Sequence, residues 1–343
     1  MTATTVLPET PLKIGTLTLK SRVLQSPLSG VTDQVFRRLV RRYAPDSMLY
    51  TEMVSAKEIH HLETVPQMMA IAPNEDPISI QLFDCRPDFM AIAAQKAVAE
   101  GAQTIDINMG CPVNKITRKG GGSSLLRQPD VAIAIVREVI NAVSVPVTVK
   151  TRLGWNDQEI NIVEFAQRLE AAGIQMLTLH GRTRAQGYEG KAQWDWIAKV
   201  KAYLSIPVIA NGDIFSVDAA ENCLEITQAD GVMCSRGTLG YPFLVGQIDY
   251  FLRTGKVPEP ITLRERLTCA QEHLQGLWTT KGNRGIRQFR KHLAWYCHGF
   301  PGAGQLRAQL FQVESVAQGQ EVLADAIAKW GDRLTGPHKQ APR

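Results

Sequence analysis

Short apolar, β-branched runs recur along the first two thirds of the chain, and polar residues cluster at their C-terminal ends. Eight of them, at 23–28, 48–52, 78–83, 104–108, 147–151, 176–180, 207–210 and 231–234, read as strands. Most are separated by segments with helical periodicity or helix signals, the clearest at 33–43, 87–100, 130–142, 158–172, 194–203 and 216–226. Cap residues mark starts (Thr32-Asp33, Pro129-Asp130, Ser216), and glycines follow ends (Gly101, Gly173). Such alternation predicts an α/β fold with a parallel sheet. A doubly wound sheet would alternate in the same way. The polar strand ends favour a (β/α)8 TIM barrel over 12–255, because that face carries barrel active sites. Val257-Pro258-Glu259-Pro260 reads as a linker, and no strand signal returns after Leu263. Helices at 263–277, 286–298, 303–313 and 315–329 predict a C-terminal all-helical domain over 261–330, with loose tails at 1–11 and 332–343.

Composition refines this picture. The 343 residues are 44% hydrophobic and 21% charged, as expected of a soluble globular protein. The absence of a signal-like N-terminus or a long apolar run predicts a cytoplasmic location. Six cysteines without a Cys-x-x-Cys pair suit a reducing compartment, and the adjacent His60 and His61 lack further ligands at metal spacing, so no metal is expected. Net charge is +5, yet the segment 281–310 alone carries six cations and no acid. With Phe289, Trp295, Tyr296 and Phe300 interleaved among Arg287, Arg290 and Lys291, it predicts a polyanion-binding surface.

Candidate chemistry gathers at the strand ends. Residues 104–112 read Thr-Ile-Asp-Ile-Asn-Met-Gly-Cys-Pro, which puts a thiol, Cys111, at the mouth of a buried strand. A buried cysteine is often inert, and one at a strand end is also a usual place for a nucleophile or proton donor. Asn211-Gly212-Asp213 and Ser235-Arg236-Gly237 end the seventh and eighth strands, where barrels bind phosphate through backbone N–H groups. Lys150 would point a cation into the mouth, where an unpaired lysine is costly. His180 sits with Arg182 and Arg184 at another strand end, tilted toward ligand contact. The glycine-rich loop after Cys111 carries Lys115, Arg118 and Lys119, and reads as mobile and able to close over a phosphate backbone or as a surface excursion.

The stretch 106–112 with its Lys/Arg/Gly loop, Lys150-Thr151-Arg152-Leu153-Gly154-Trp155, 179–184 and 209–214 together resemble the tRNA-dihydrouridine synthases, most nearly the bacterial DusB branch, over about residues 12–325. The resemblance implies an FMN enzyme that reduces the C5–C6 double bond of uridines in the tRNA D-loop, with NADPH as reductant and the protein a monomer. It implies hydride transfer to C6 and proton donation to C5 by Cys111. FMN contacts would fall on Pro27, Leu28, Ser29, Gln81, Lys150, His180, Asn211, Gly212, Asp213, Ser235 and Arg236. Asn108 would hold the uracil edge, and Lys115, Arg118, Lys119, Arg152, Arg182, Arg184, Arg287, Arg290 and Lys291 would contact RNA. Leu28-Ser29 stand where Met-Ala is usual, and Cys234-Ser235 where Ile-Gly is usual; Ser235 keeps the backbone N–H but narrows φ. A dihydroorotate- or dihydropyrimidine-type FMN dehydrogenase would share the flavin site, though it has no need of the basic helical segment.

Overall fold

The computed structural model describes residues 11–62 and 66–335. The central sheet has nine parallel strands, a short one at Val54–Ser55 that pairs with Leu82–Phe83 and the eight barrel strands β1 (Val23–Gln25), β2 (Leu49–Tyr50), β3 (Ile78–Phe83), β4 (Thr104–Met109), β5 (Val147–Arg152), β6 (Leu177–His180), β7 (Val208–Asn211) and β8 (Gly231–Cys234). Neighbours pair in chain order from β2 to β8, and β8 pairs with β1. The Gln25 N–H donates to the Met48 carbonyl (3.1 Å), which joins β1 to the start of β2 and nearly closes the barrel. Around it lie α1 (Gln34–Tyr43), α2 (Pro87–Ala99), α3 (Pro129–Ala142), α4 (Ile162–Ala171), α5 (Trp194–Tyr203), α6 (Val217–Thr227) and α7 (Leu244–Thr254), with a shorter helix, Ala56–His61, between β2 and β3.

The two-residue period of each strand decides what enters the barrel. Ile105, Ile107 and Met109 of β4 join the core shared with the helices, as do Val147 and Val149 of β5 and Leu177 and Leu179 of β6. The alternate positions, Asp106 and Asn108, Lys150 and Arg152, and His180, therefore point to the barrel interior. A hairpin of Leu12–Ile14 and Leu17–Leu19 packs on Leu24, Met48, Tyr50, Met176, Ile209 and Met233. It precedes β1 and so covers the end of the barrel opposite the polar strand ends.

Two expected elements differ. Residues 158–161 do not begin a helix: the Trp155 N–H donates to the Glu159 carbonyl (3.2 Å) and Gly154 bridges Ile160, so α4 starts at Ile162. The Asn156 side chain takes the Gln158 N–H (3.0 Å), a local bond that competes with helix formation. The C-terminal tail is not wholly loose either, because Leu334–Thr335 pairs antiparallel with Ile261–Thr262. Residues 1–10 and 336–343 lie outside the described residues.

Beyond the linker come α8 (Leu263–Lys281), α9 (Asn283–Tyr296), α10 (Ala303–Phe311) and α11 (Val316–Trp330). A capping box fixes the start of α8: the Thr262 hydroxyl accepts the Glu265 N–H, and the Glu265 carboxylate accepts the Thr262 N–H. These helices pack directly on the barrel. Gly240, with φ of 65°, lies so close to the α9 backbone that a Cβ would sit 2.2 Å from the Trp295 carbonyl. Arg42 pairs with Glu272 at 2.7 Å and Lys281 with Asp33 at 2.5 Å. No helix among the described residues is long and apolar enough to cross a membrane.

Candidate active site

A cleft of about 1090 Å³ opens at the C-terminal ends of the strands, and Lys291 and Trp295 of α9 form part of its wall. All eleven residues expected to hold a flavin line it. The strand expected over 23–28 ends at Gln25, so Pro27 and Leu28 lie beyond it, and Ser29 begins a turn. The Ser26 N–H still bonds the Cys234 carbonyl (2.8 Å), but the Leu28 N–H turns to the Thr32 hydroxyl (3.0 Å).

One end of the cleft is shaped for an anion. Gly212 and Asp213 take left-handed backbone (φ 116° and 59°), and no acceptor among the described residues takes either N–H. A Cβ on Gly212 would lie 2.8 Å from the Ala192 Cβ and 2.9 Å from the His180 ring, so glycine is required. The Asp213 carboxylate takes two bonds from Arg182 (2.7 and 2.8 Å) and one from the Ala192 N–H (2.7 Å). Arg236, 3.4 Å from Asp213, lies over the Tyr188 and Phe215 rings. Ser235, which stands where glycine is usual, has φ of −121° and ψ of −107°, and its hydroxyl accepts from Asn211 (2.9 Å). Lys150 donates to the Asn211 side-chain oxygen (3.0 Å). Burial, with Arg152 beside it, lowers the Lys150 pKa to about 8 despite Asp106 and Cys111.

The other end is built around Cys111. The Asn108 Oδ1 accepts the Cys111 N–H (2.9 Å) and the Gly110 N–H (3.2 Å), while Ser123 binds the Cys111 carbonyl through its N–H and its hydroxyl. Burial raises the thiol pKa, opposed by a Val113 N–H and by the charges of Arg152 and Lys150, so the thiol keeps its proton at neutral pH. Burial also pushes His180 well below its ordinary value, helped by Arg152, Lys150, Arg182 and Arg236, so its ring is neutral. Asp106 beneath is raised to about 6 by burial against hydrogen bonds from Thr148 and Gln81.

The residues expected on RNA separate into three groups. Arg152 and Arg182 are buried braces. Arg152 donates to the carbonyls of Gly110 (2.8 Å), Thr183 (3.0 Å) and Gly187 (2.8 Å), and Arg182 to those of Glu189 (3.0 Å) and Gly190 (2.6 Å). Arg184 bonds Asn114 and stacks on Trp155, and Arg290 donates to the Val313 carbonyl (3.0 Å). Lys115, Lys119 and Lys291 are exposed and line the cleft, whereas Arg118 and Arg287 are exposed outside it. The loop after Cys111 is not an open excursion. Asn114–Thr117 makes a helical turn, Gly122–Arg127 a 3-10 helix, and Ser123 to Leu126 are buried, because Leu125 and Leu126 reach the core.

Sequence reasoning did not single out Tyr188, Cys85 or Arg86, all of which line the cleft. Tyr188 follows Gly187 at positive φ and meets Arg152, Arg236 and His180, a meeting of three strand ends that no local pattern signals. The acid-free basic segment does find an acid: Asp33 of the barrel accepts both Lys281 and Gln288 (3.0 Å).

Residues 24–330 match the family model described as Dihydrouridine synthase (Dus). The chain is 75% identical over 318 residues to a probable tRNA-dihydrouridine synthase 1 of Synechocystis sp., covering 93% of this chain and 90% of that protein. It is 41% identical over 290 residues to tRNA-dihydrouridine synthase B of Pasteurella multocida, covering 84% and 87%. Among solved structures, histamine dehydrogenase from Rhizobium sp. 4-9 aligns with a TM-score of 0.57 at 14% identity, covering 94% of this chain and 65% of that one. Morphinone reductase in complex with tetrahydroNAD aligns at 0.52 and 16%, covering 74% and 92%. At those identities the likeness is one of fold.

Proposed function

We propose, from the premise that this chain belongs to the dihydrouridine synthase (Dus) family, that it reduces the C5–C6 double bond of D-loop uridines in tRNA, with FMN as cofactor and NADPH as reductant. The chain is an enzyme, a flavin-dependent tRNA-dihydrouridine synthase. In our reading 12–255 forms the FMN-binding catalytic unit and 261–330 the tRNA-binding unit, acting as a monomer in the cytoplasm.

The donor set fits FMN. The free N–H groups of Gly212 and Asp213, with Arg236 and the N–H groups after β8, suit its phosphate. Lys150 and the neutral His180 suit the polar edge of its ring, and a lysine cation there stabilises negative charge on the reduced ring. Bound FMN would supply the hydride that adds to uracil C6. Addition at C6 leaves an electron pair at C5, and Cys111 Sγ–H gives that carbon its proton, leaving a thiolate near Arg152 and Lys150. Asn108, fixed by its neighbours, lies beside the thiol where the uracil edge would sit. A stacked uridine must leave the RNA stack to reach this depth. Lys115, Lys119 and Lys291 at the cleft and Arg287 on α9 would hold phosphates without reading sequence.

The observation that carries this reading is a thiol just past the end of β4 in the same cleft as the Gly212–Asp213 anion cradle. The α9 wall favours RNA over a free pyrimidine, because Lys291 and Trp295 widen the cleft into a charged surface. With FMN, NADPH and tRNA from a strain lacking this gene, the protein should form dihydrouridine in the D-loop, read by mass mapping. A protein that takes up no FMN, or that reduces only free pyrimidines, would overturn the reading.

A further inference from the structure

We propose that Asp106 is a positioning residue for Cys111, acting through the side-chain amides of Gln81 and Asn108. The inference rests on the reading of Cys111 as the proton donor. Asp106 is fully buried inside the barrel. Its Oδ1 accepts the Thr148 hydroxyl and its Oδ2 the Gln81 Nε2, each at 2.6 Å. An ionised carboxylate accepts and never donates. Gln81 must therefore turn its NH2 toward Asp106 and its oxygen away, where that oxygen accepts the Asn108 Nδ2 at 2.8 Å. Asn108 then has its own oxygen on the far side, where it takes the N–H groups of Cys111 and Gly110.

Each primary amide keeps its shape but reverses its polarity when flipped. A flip of Asn108 would set its NH2 against the Cys111 N–H and release the turn that aims the thiol, and a flip of Gln81 would set its NH2 against that of Asn108 and press Asn108 toward the same flip. The Gly110 and Cys111 N–H groups hold the Asn108 end of the chain, whereas both ends of the Gln81 amide fit the same space. Asp106 removes the ambiguity at the one end of the chain where only donors are accepted. A charge buried at this depth is costly, and the positions paired with Asp106 on the two adjacent strands, Gln81 and Thr148, are uncharged. The carboxylate is thus the exception in its layer, and the hydrogen-bond chain it starts ends at Cys111.

The test compares Asp106→Leu, which removes the acceptor, with Asp106→Asn, whose oxygen can face Gln81 while its NH2 donates to the Thr148 hydroxyl. Three rates are measured: alkylation of Cys111 by iodoacetamide, read by peptide mapping; bleaching of bound FMN by NADPH; and reoxidation of the reduced enzyme by tRNA. In Asp106→Leu we expect Cys111 alkylation to rise several-fold and reoxidation by tRNA to slow by about 10- to 100-fold, as a misplacement near 1 Å does. Bleaching by NADPH should stay within about twofold, and Asp106→Asn should restore the other two rates. Unchanged alkylation in Asp106→Leu overturns the proposal, as does an equal loss of all rates that Asp106→Asn fails to restore. Should Asp106→Leu not fold, Gln81→Met cuts the middle of the chain and must raise Cys111 alkylation; an unchanged rate again overturns it. Full tRNA reduction by Cys111→Ala would remove the proton-donor reading instead, while alkylation still reports whether Asp106 positions the thiol.

Discussion

The barrel mouth and the α9 surface are both rich in polar and charged side chains, yet they treat them in opposite ways. In the mouth almost every such group is buried and spoken for: Arg152 holds three carbonyls, Arg182 holds Asp213, and Asp106, Gln81 and Asn108 form one chain. On α9, Arg287 and Lys291 are exposed, Lys291 reaching the Gly30 carbonyl only at 3.3 Å, while Arg290 is partly buried and donates to the Val313 carbonyl at 3.0 Å. Bonds between buried groups are strong and directional, whereas exposed cations act through a screened field. Single substitutions should therefore have large effects in the mouth and small, additive ones on α9.

Cys111→Ala provides the sharpest test. It should bind FMN and tRNA but form dihydrouridine about 10²- to 10⁴-fold more slowly, in single-turnover assays with reduced enzyme. Full activity would remove the mouth's central group from the chemistry. Lys150→Met comes next, with flavin reduction by NADPH slower by about 10²-fold. In the parent protein Lys150 is charged below about pH 8 and neutral above it, so stopped-flow reduction should weaken as pH rises through about 8. The same shift bears on folding. A lysine whose folded pKa lies below its ordinary value costs stability while it is charged, and that cost fades as pH rises from about 8 toward its ordinary range. Removing it should thus stabilise the apo protein at pH 7 by about 1–3 kcal/mol in urea melts. A loss of stability would show that the ammonium supports the fold.

Effects on α9 should be smaller. Arg287→Ala with Lys291→Ala should weaken tRNA binding at every sequence and lower the slope of log affinity against log salt by about 1–2, measured by filter binding. Arg290→Met should leave that slope unchanged and cost about 1–2 kcal/mol of stability, because the Val313 carbonyl loses its donor. If Arg290 changes the slope as much as Arg287 does, the division between tied and free cations on α9 fails. Smallest of all, Lys281→Met should loosen α8 from the barrel by about 1 kcal/mol, seen as faster hydrogen exchange near Asp33.

Much of the site was legible because barrel strands write it in a simple code. On β4 and β5 the apolar positions alternate with Asp106, Asn108, Lys150 and Arg152, so the interior and its chemistry could be read residue by residue. The same code cannot say whether an inward arginine meets ligand or carbonyl. Arg152 and Arg182 looked like RNA contacts and are braces, since their partners come from loops distant in sequence. The anchoring of the glycine-rich loop was hidden for a related reason: it depends on Leu125 and Leu126 meeting a core assembled elsewhere.

Periodicity, caps and strand-end residues determined by themselves the eight βα units, the helices that follow and the thiol at Cys111, because each of these is fixed by neighbours within a few residues. Only the tertiary structure decided which cations remain free and which direction each buried amide faces. It also decided that Asp33 would answer the basic segment and that Asp106 would stand at the head of a chain ending at Cys111. The Gln81 links to Asp106 and Asn108 and the bonds to Asp33 join residues 25 to 255 positions apart, and such pairings exist only once the barrel has closed.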